Sequence, residues 1–120
     1  MKPPSVSLPK KTLVAKQLLR MLLAHYPRGL DTHVAHERLA EAMGISSEQR
    51  WAKRLTARGE ENAWENRVRY ARLDLVEREY MQRPAQSGRG VWRLTEAGVR
   101  YAKNPSGITL GEDTDGEVDF

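Results

Sequence analysis

Over residues 12–26 the apolar positions return with a helical period. Val14, Leu18, Met21, Leu22 and His25 fall at i, i+4, i+7, i+8 and i+11, along one stripe. The pattern predicts a helix capped by Thr12 and stopped by Pro27 and Gly29. A second helix is expected after Asp31 or Thr32, either of which can cap it, with Val34, Ala35, Leu39, Ala42 and Met43 facing inward. Gly44 stands where a left-handed C-terminal cap belongs, and Ile45 where its apolar partner does. Ser46 and Gln49 have capping-box spacing for a short third helix carrying Trp51 and Leu55, broken at Thr56-Ala57-Arg58-Gly59. Asn62 and Glu65 repeat that spacing and open a long helix over residues 62–79, whose inward stripe is Trp64, Val68, Ala71 and Leu75.

After the long helix the period shortens from 3.6 to 2. Residues 80–83 read as a short strand, residues 84–90 as a loop rich in turn formers, and residues 91–94 as the returning strand. Thr95 then caps a last helix carrying Val99 and Ala102 and ended by Asn104-Pro105. The order is helix, helix, short helix, long helix, hairpin, helix. It implies a mainly α (α+β) domain: a winged helix-turn-helix with a two-stranded β wing.

Composition divides the chain into three parts. Residues 1–11, with Pro3, Pro4, Ser5, Ser7 and Pro9 among Lys2, Lys10 and Lys11, read as a flexible basic arm, and residues 12–103 as the folded domain. Residues 104–120 read as an acidic flexible tail or linker. Glu112, Asp113, Asp115, Glu117 and Asp119 lie in that tail, with no base beyond residue 110. The formal charge of +4 therefore understates the body. Residues 1–110 hold all twenty basic residues against eleven acids, a net +9. A body this basic attracts polyanions. No signal peptide is read, because Lys16 and Arg20 interrupt the one long apolar run, and the absence of cysteine excludes disulfides and thiolate–zinc sites. A cytoplasmic, nucleoid-associated protein without a membrane partner is expected.

Several segments together carry a family resemblance: Asn66-Arg67-Val68-Arg69-Tyr70-Ala71-Arg72, then Leu75, Arg83-Pro84 and Arg89-Gly90-Val91-Trp92-Arg93-Leu94-Thr95-Glu96-Ala97-Gly98. The block resembles the N-terminal domain of Mrr-type restriction endonucleases. In that family an Asn-Arg-Val-x-Trp-Ala-Arg helix leads into a Gly-Val-Trp-x-Leu-Thr wing strand. Tyr70 replaces the usual Trp, and Glu79-Tyr80 stands where an Ala-Gly-Leu-like turn is usual. The resemblance implies target recognition in a modification-dependent restriction system, with a nuclease domain or subunit as partner.

Cutting is not expected of these residues. A PD-(D/E)xK nuclease needs a carboxylate followed two residues later by lysine, and Glu37, Glu41, Glu48, Glu65, Glu77 and Glu96 all fail. His25, His33 and His36 do not supply a histidine-based nuclease site either. His33 and His36, beside Asp31 and Glu37, lack a third ligand, so no metal and no cofactor is expected.

The candidate chemistry is recognition of duplex DNA, methylated or not. On the long helix the candidates are Asn66 for adenine, Arg67 or Arg69 for guanine, and Tyr70 and Arg72 beside them. On the wing they are Arg83, Gln86, Ser87, Arg89 and Arg93, with Gly88 and Gly90 allowing close backbone approach. Arg50, Lys53, Arg54 and Arg58 form a third basic cluster suited to phosphates. Each has a plainer reading: a solvated face laced by pairs such as Glu65 with Arg69, or an ordinary turn. Trp64 and Trp92 are expected to pack in the core rather than cage a base. The reading from sequence is a monomeric or dimeric DNA-binding module of a restriction system. The alternatives are a winged-helix transcriptional regulator and a protein-interaction winged helix.

Overall fold

α1 (Lys11–Ala24) turns Val14, Ala15, Leu18, Leu19 and Leu22 inward, and α4 (Ala63–Glu77) answers with Trp64, Val68, Ala71, Leu75 and Val76. These residues share one core cluster, and the two helices make the most extensive contact between any pair of elements. Each leucine fully withdrawn from water contributes about 2 kcal/mol of transfer free energy, so this pair is the main apolar support of the domain. The computed structural model describes residues 7–104. Residues 1–6 of the basic arm and residues 105–120 of the acidic tail lie outside the described residues.

Between α1 and α4 the chain forms β1 (Leu30–Asp31), α2 (Thr32–Ala42), α3 (Ser47–Trp51) and a hairpin of β2 (Lys53–Thr56) and β3 (Gly59–Asn62). After α4 come a helical turn α5 (Pro84–Ser87), β4 (Val91–Trp92) and α6 (Glu96–Lys103). The result is an α+β fold of the winged-helix type. β1 pairs antiparallel with β4, Leu30 opposite Trp92 and Asp31 opposite Val91. The stem of the wing is one bridge, Met81 with Leu94, flanked by Gln82 N–H donating to the Arg93 carbonyl at 2.9 Å and Thr95 N–H to the Tyr80 carbonyl at 3.1 Å. The expected strands at 80–83 and 91–94 are thus present in abbreviated form, while Val91 and Trp92 pair with β1.

Caps follow the sequence closely. Asp31 accepts from His33 and Val34 N–H, and Ser46 with Gln49 forms a reciprocal capping box. Gly44, at φ 62°, ends α2 in a Schellman motif, with Gly44 N–H donating to the Glu41 carbonyl at 3.1 Å and Ile45 N–H to the Ala40 carbonyl at 2.9 Å. Thr12 differs from expectation. The helix starts a residue earlier, at Lys11, and Thr12 is buried within its first turn. On α2 the buried positions are Ala35, Leu39 and Ala40, while Val34 and Ala42 are exposed.

The larger correction concerns residues 53–62. Leu55 does not continue α3; it sits in β2, opposite Glu60. Thr56 fixes the turn by donating its hydroxyl to the Gly59 carbonyl at 2.8 Å and accepting from Arg58 N–H at 3.1 Å. Arg54 stands opposite Glu61, an opposite-charge pairing that favours this register. The hairpin base is tied down by Ala63 N–H to the Ala52 carbonyl at 2.9 Å and by Asn62 Nδ2 to the Arg50 carbonyl at 3.0 Å.

α4 ends in a second Schellman motif with glutamate in the glycine position. Glu79 has φ 65°, its N–H donates to the Val76 carbonyl at 2.9 Å, and Tyr80 N–H donates to the Leu75 carbonyl at 2.8 Å. α6 docks against this exit. Thr95 Oγ1 donates to the Glu79 carbonyl at 2.6 Å and accepts from Gly98 N–H at 2.9 Å, while Gly98 lies directly against the Tyr80 carbonyl. The Leu-Thr-x-x-Gly run has a physical reason: a core residue, a cap and a contact with no room for a side chain. Gly98→Ala would drive a Cβ into the Tyr80 carbonyl and is expected to lower stability in urea by about 1–3 kcal/mol. Glu79→Gly relieves the left-handed strain and is expected to raise it by about 0.5–1 kcal/mol in the same measurement, net of the entropy glycine adds to the unfolded chain.

Candidate nucleic-acid interface

The exposed residues of α4 are Glu65, Arg69, Tyr70, Leu73 and Glu77. Its first turn is held by Asn62, whose Oδ1 accepts from Glu65 N–H at 2.9 Å. The candidates predicted for this helix divide among four surroundings. Arg69 and Tyr70 stay outward, the guanidinium 5.4 Å from the ring centroid. Tyr70 is 45% exposed. Asn66 is only 8% exposed, and its Oδ1 accepts from an Arg69 Nη at 2.9 Å. Its amide oxygen is thereby engaged with an arginine on the same helix. Arg67 turns to the opposite side and donates to the Pro9 carbonyl at 2.6 Å, which ties the arm's last residues to α4. Gln49 Nε2 does likewise with the Ser7 carbonyl at 2.6 Å, and Leu8 packs on the core. Residues 7–10 therefore lie along the body, held by these contacts.

Arg72 joins α4 to the wing strand. Its guanidinium lies 5.5 Å from the Trp92 ring, and the His36 ring of α2 meets the same indole at 5.2 Å, tilted by 52°. Trp92 and Trp64 are buried, as expected of core aromatics. Burial lowers the pKa of Arg72 below the usual arginine value, though a guanidinium stays protonated. Arg72 Nε and His36 Nδ1 are buried with no hydrogen-bond partner among the described residues. Burial also lowers the His36 pKa; Arg50 and His33 act in the same sense, while Glu65 and Glu37 oppose it.

On the wing, Arg89 is exposed between Gly88 (φ 93°) and Gly90 (φ 78°) and has no hydrogen bond or ion pair among the described residues. Arg83 and Gln86 are also exposed, with Gln86 Oε1 accepting from Arg83 N–H at 2.9 Å to open α5. Ser87 is not at the surface; it is buried and donates to the Val91 carbonyl at 2.9 Å, closing the loop. Arg93 is turned along the sheet, with Nε donating to the Arg28 carbonyl at 3.3 Å and an Nη to Gln82 Oε1 at 3.4 Å. In the third cluster Arg50 pairs with Glu37 at 3.3 Å and lies over Trp51 at 5.3 Å. Lys53 and Arg58 are exposed on the hairpin, whereas Arg54 is half-buried.

Sequence reasoning missed the hairpin itself and the cleft where it meets α4. Glu61, Asn62, Glu65, Asn66 and Arg69 line that cleft, of about 310 Å³. In the sequence the Thr-Ala-Arg-Gly turn is the signal of this hairpin, and taken alone it marks only a helix break. Among the described residues no helix is long and apolar enough to cross a membrane, and no three metal-ligating side chains cluster.

His36 gives the domain a pH dependence of known sign. Its folded pKa lies below the unfolded 6.5, so the unfolded chain takes up the proton first. The His36 contribution is complete above 6.5 and is lost as pH falls from there through the folded pKa. Thermal melts at pH 7.5 and 5.5 should show a smaller drop for His36→Gln than for the native chain.

No curated protein and no solved structure matches the chain. The family model of the Mrr N-terminal domain does match, over residues 15–104, and it covers α2 through α6 and most of α1; the chain belongs to the Mrr N-terminal domain family.

Proposed function

We propose that this domain binds duplex DNA and supplies target recognition to a restriction system in the cytoplasm, with cleavage performed by a partner nuclease domain or subunit. Residues 12–103 form the recognition module and residues 104–120 a linker. The observation that supports the reading is the Arg72–Trp92 contact, which places one flank of the exposed α4 face beside the wing strand. A helix in the major groove with a wing on the adjacent backbone needs that adjacency. Arg69 then supplies the base contact, Tyr70 flanks it, and Arg83, Arg89, Lys53 and Arg58 meet phosphates. Asn66, Arg67, Ser87 and Arg93 serve by holding these elements in place. The family assignment supports the restriction context.

With about six phosphates neutralised, log K should fall against log[salt] with a slope near −5. Arg89→Ala should weaken all duplexes alike and flatten that slope by about 1. Binding to no duplex at low salt, or an affinity indifferent to salt, would overturn the reading. Titration of methylated against unmethylated duplexes separates recognition of modified DNA from a regulator's use of an unmodified site.

One observation favours a second reading. Trp51 is 63% and Leu55 81% exposed, close in sequence on α3 and β2, as a protein-docking surface would have them. A chain that ignores DNA yet loses a co-purifying partner on Trp51→Ala would support it.

A further inference from the structure

The α4 face leaves a specific question, since its best-placed acid has no cation. Glu65 and Arg69 are four residues apart, the spacing at which glutamate and arginine ordinarily pair on a helix. They do not pair here. Asn66 holds an Arg69 Nη at 2.9 Å, and Glu65 has no ion pair among the described residues. Its carboxylate is exposed beside Glu61 in the cleft at the start of α4. The histidine whose charge Glu65 influences, His36, is held toward its neutral form by burial. The helix therefore presents a bare acceptor and a separately oriented donor fork on one face.

A carboxylate carried into the major groove is repelled by phosphates unless it meets a donor. The base edges differ sharply in what they offer. Guanine shows two acceptors, thymine an acceptor and a methyl group, and adenine an acceptor beside its amino group. Cytosine alone presents an amino donor with no neighbouring acceptor. Guanine's paired acceptors in turn suit the N–H groups of an arginine fork that a bond such as that to Asn66 leaves unused. Four helical residues span about 6 Å, the length of one to two base steps.

Resting on the DNA-binding reading above, we propose that Glu65 and Arg69 are the specificity-determining residues, Glu65 accepting from a cytosine amino group and Arg69 donating to guanine on the same or a neighbouring base pair. Asn66 is a positioning residue that keeps the two side chains apart. The adenine assignment suggested by the sequence is replaced, because the amide that would read adenine is buried.

The test is selection from a randomised duplex pool with the full chain, followed by titration of the recovered sequence. The native chain should enrich cytosine and guanine within one to two base steps of each other. Glu65→Gln should lose the cytosine preference by roughly tenfold or more and gain tolerance for adenine, which glutamine can pair. Arg69→Ala should erase the guanine preference. A duplex with that cytosine replaced by its analogue lacking the amino group should bind the native chain more weakly, a loss that Glu65→Gln should show to a smaller degree, and the native-chain arm does not depend on how the variants fold. If Glu65 serves only to stabilise the first turn of α4, Glu65→Gln will melt slightly earlier with an unchanged base preference, and the proposal is overturned. A native chain that binds every duplex equally also overturns it while DNA binding stands. Failure to bind any duplex at low salt removes the underlying reading as well.

Discussion

Two backbone carbonyls, those of Glu79 and Tyr80, sit where α4, the wing stem and α6 converge. Glu79 at φ 65° turns the chain out of α4, and its carbonyl receives the Thr95 hydroxyl at 2.6 Å. The Tyr80 carbonyl receives Thr95 N–H at 3.1 Å and lies against Gly98. One threonine thus caps α6, closes the wing stem and clamps the helix exit. A left-handed non-glycine residue costs about 1–2 kcal/mol and persists only where its surroundings over-determine it. Here the surroundings are those hydrogen bonds, and the wing's direction relative to α4 follows from them.

The second constraint is the indole of Trp92. It is core, packed under β1 and α2, and it also carries the Arg72 guanidinium on α4. A cation over an aromatic face needs no hydrogen-bond acceptor there, which is how Arg72 tolerates a buried Nε without a partner. His36 reaches the same ring from α2, so three elements share one side chain. This stack is a second tie between α4 and the wing strand, beside the hydrogen bonds at the helix exit.

Most of the helical frame was legible from the chain, because period, caps and stops agreed at α2, α4 and α6, although Thr12 did not cap α1 and α3 ended short of Leu55. Gly44, Ser46 and Thr95 do what their positions implied, and Asn62 caps α4 through its own side chain rather than in a reciprocal box with Glu65. The β2–β3 hairpin was not legible. Its strands carry one large apolar residue, Leu55, and that residue faces solvent, so no alternation marked them. Their stability comes from a threonine turn, an Arg54–Glu61 pairing and a tied base, none of which leaves a periodic trace. The candidate site divided in a similar way. Periodicity identified the face of α4, but it could not show that Asn66 would be covered or that Arg67 would be claimed by the arm. Both outcomes depend on contacts between residues distant in sequence.

The segment at residues 7–10 is held by Gln49 and Arg67, and both bonds land on main-chain carbonyls. Every amino acid supplies such an acceptor, so the donors fix the path of this segment while asking little of its own side chains beyond Leu8. Substitutions at Ser7 or Lys10 can therefore leave this segment on the same side of α4, provided Gln49 and Arg67 remain.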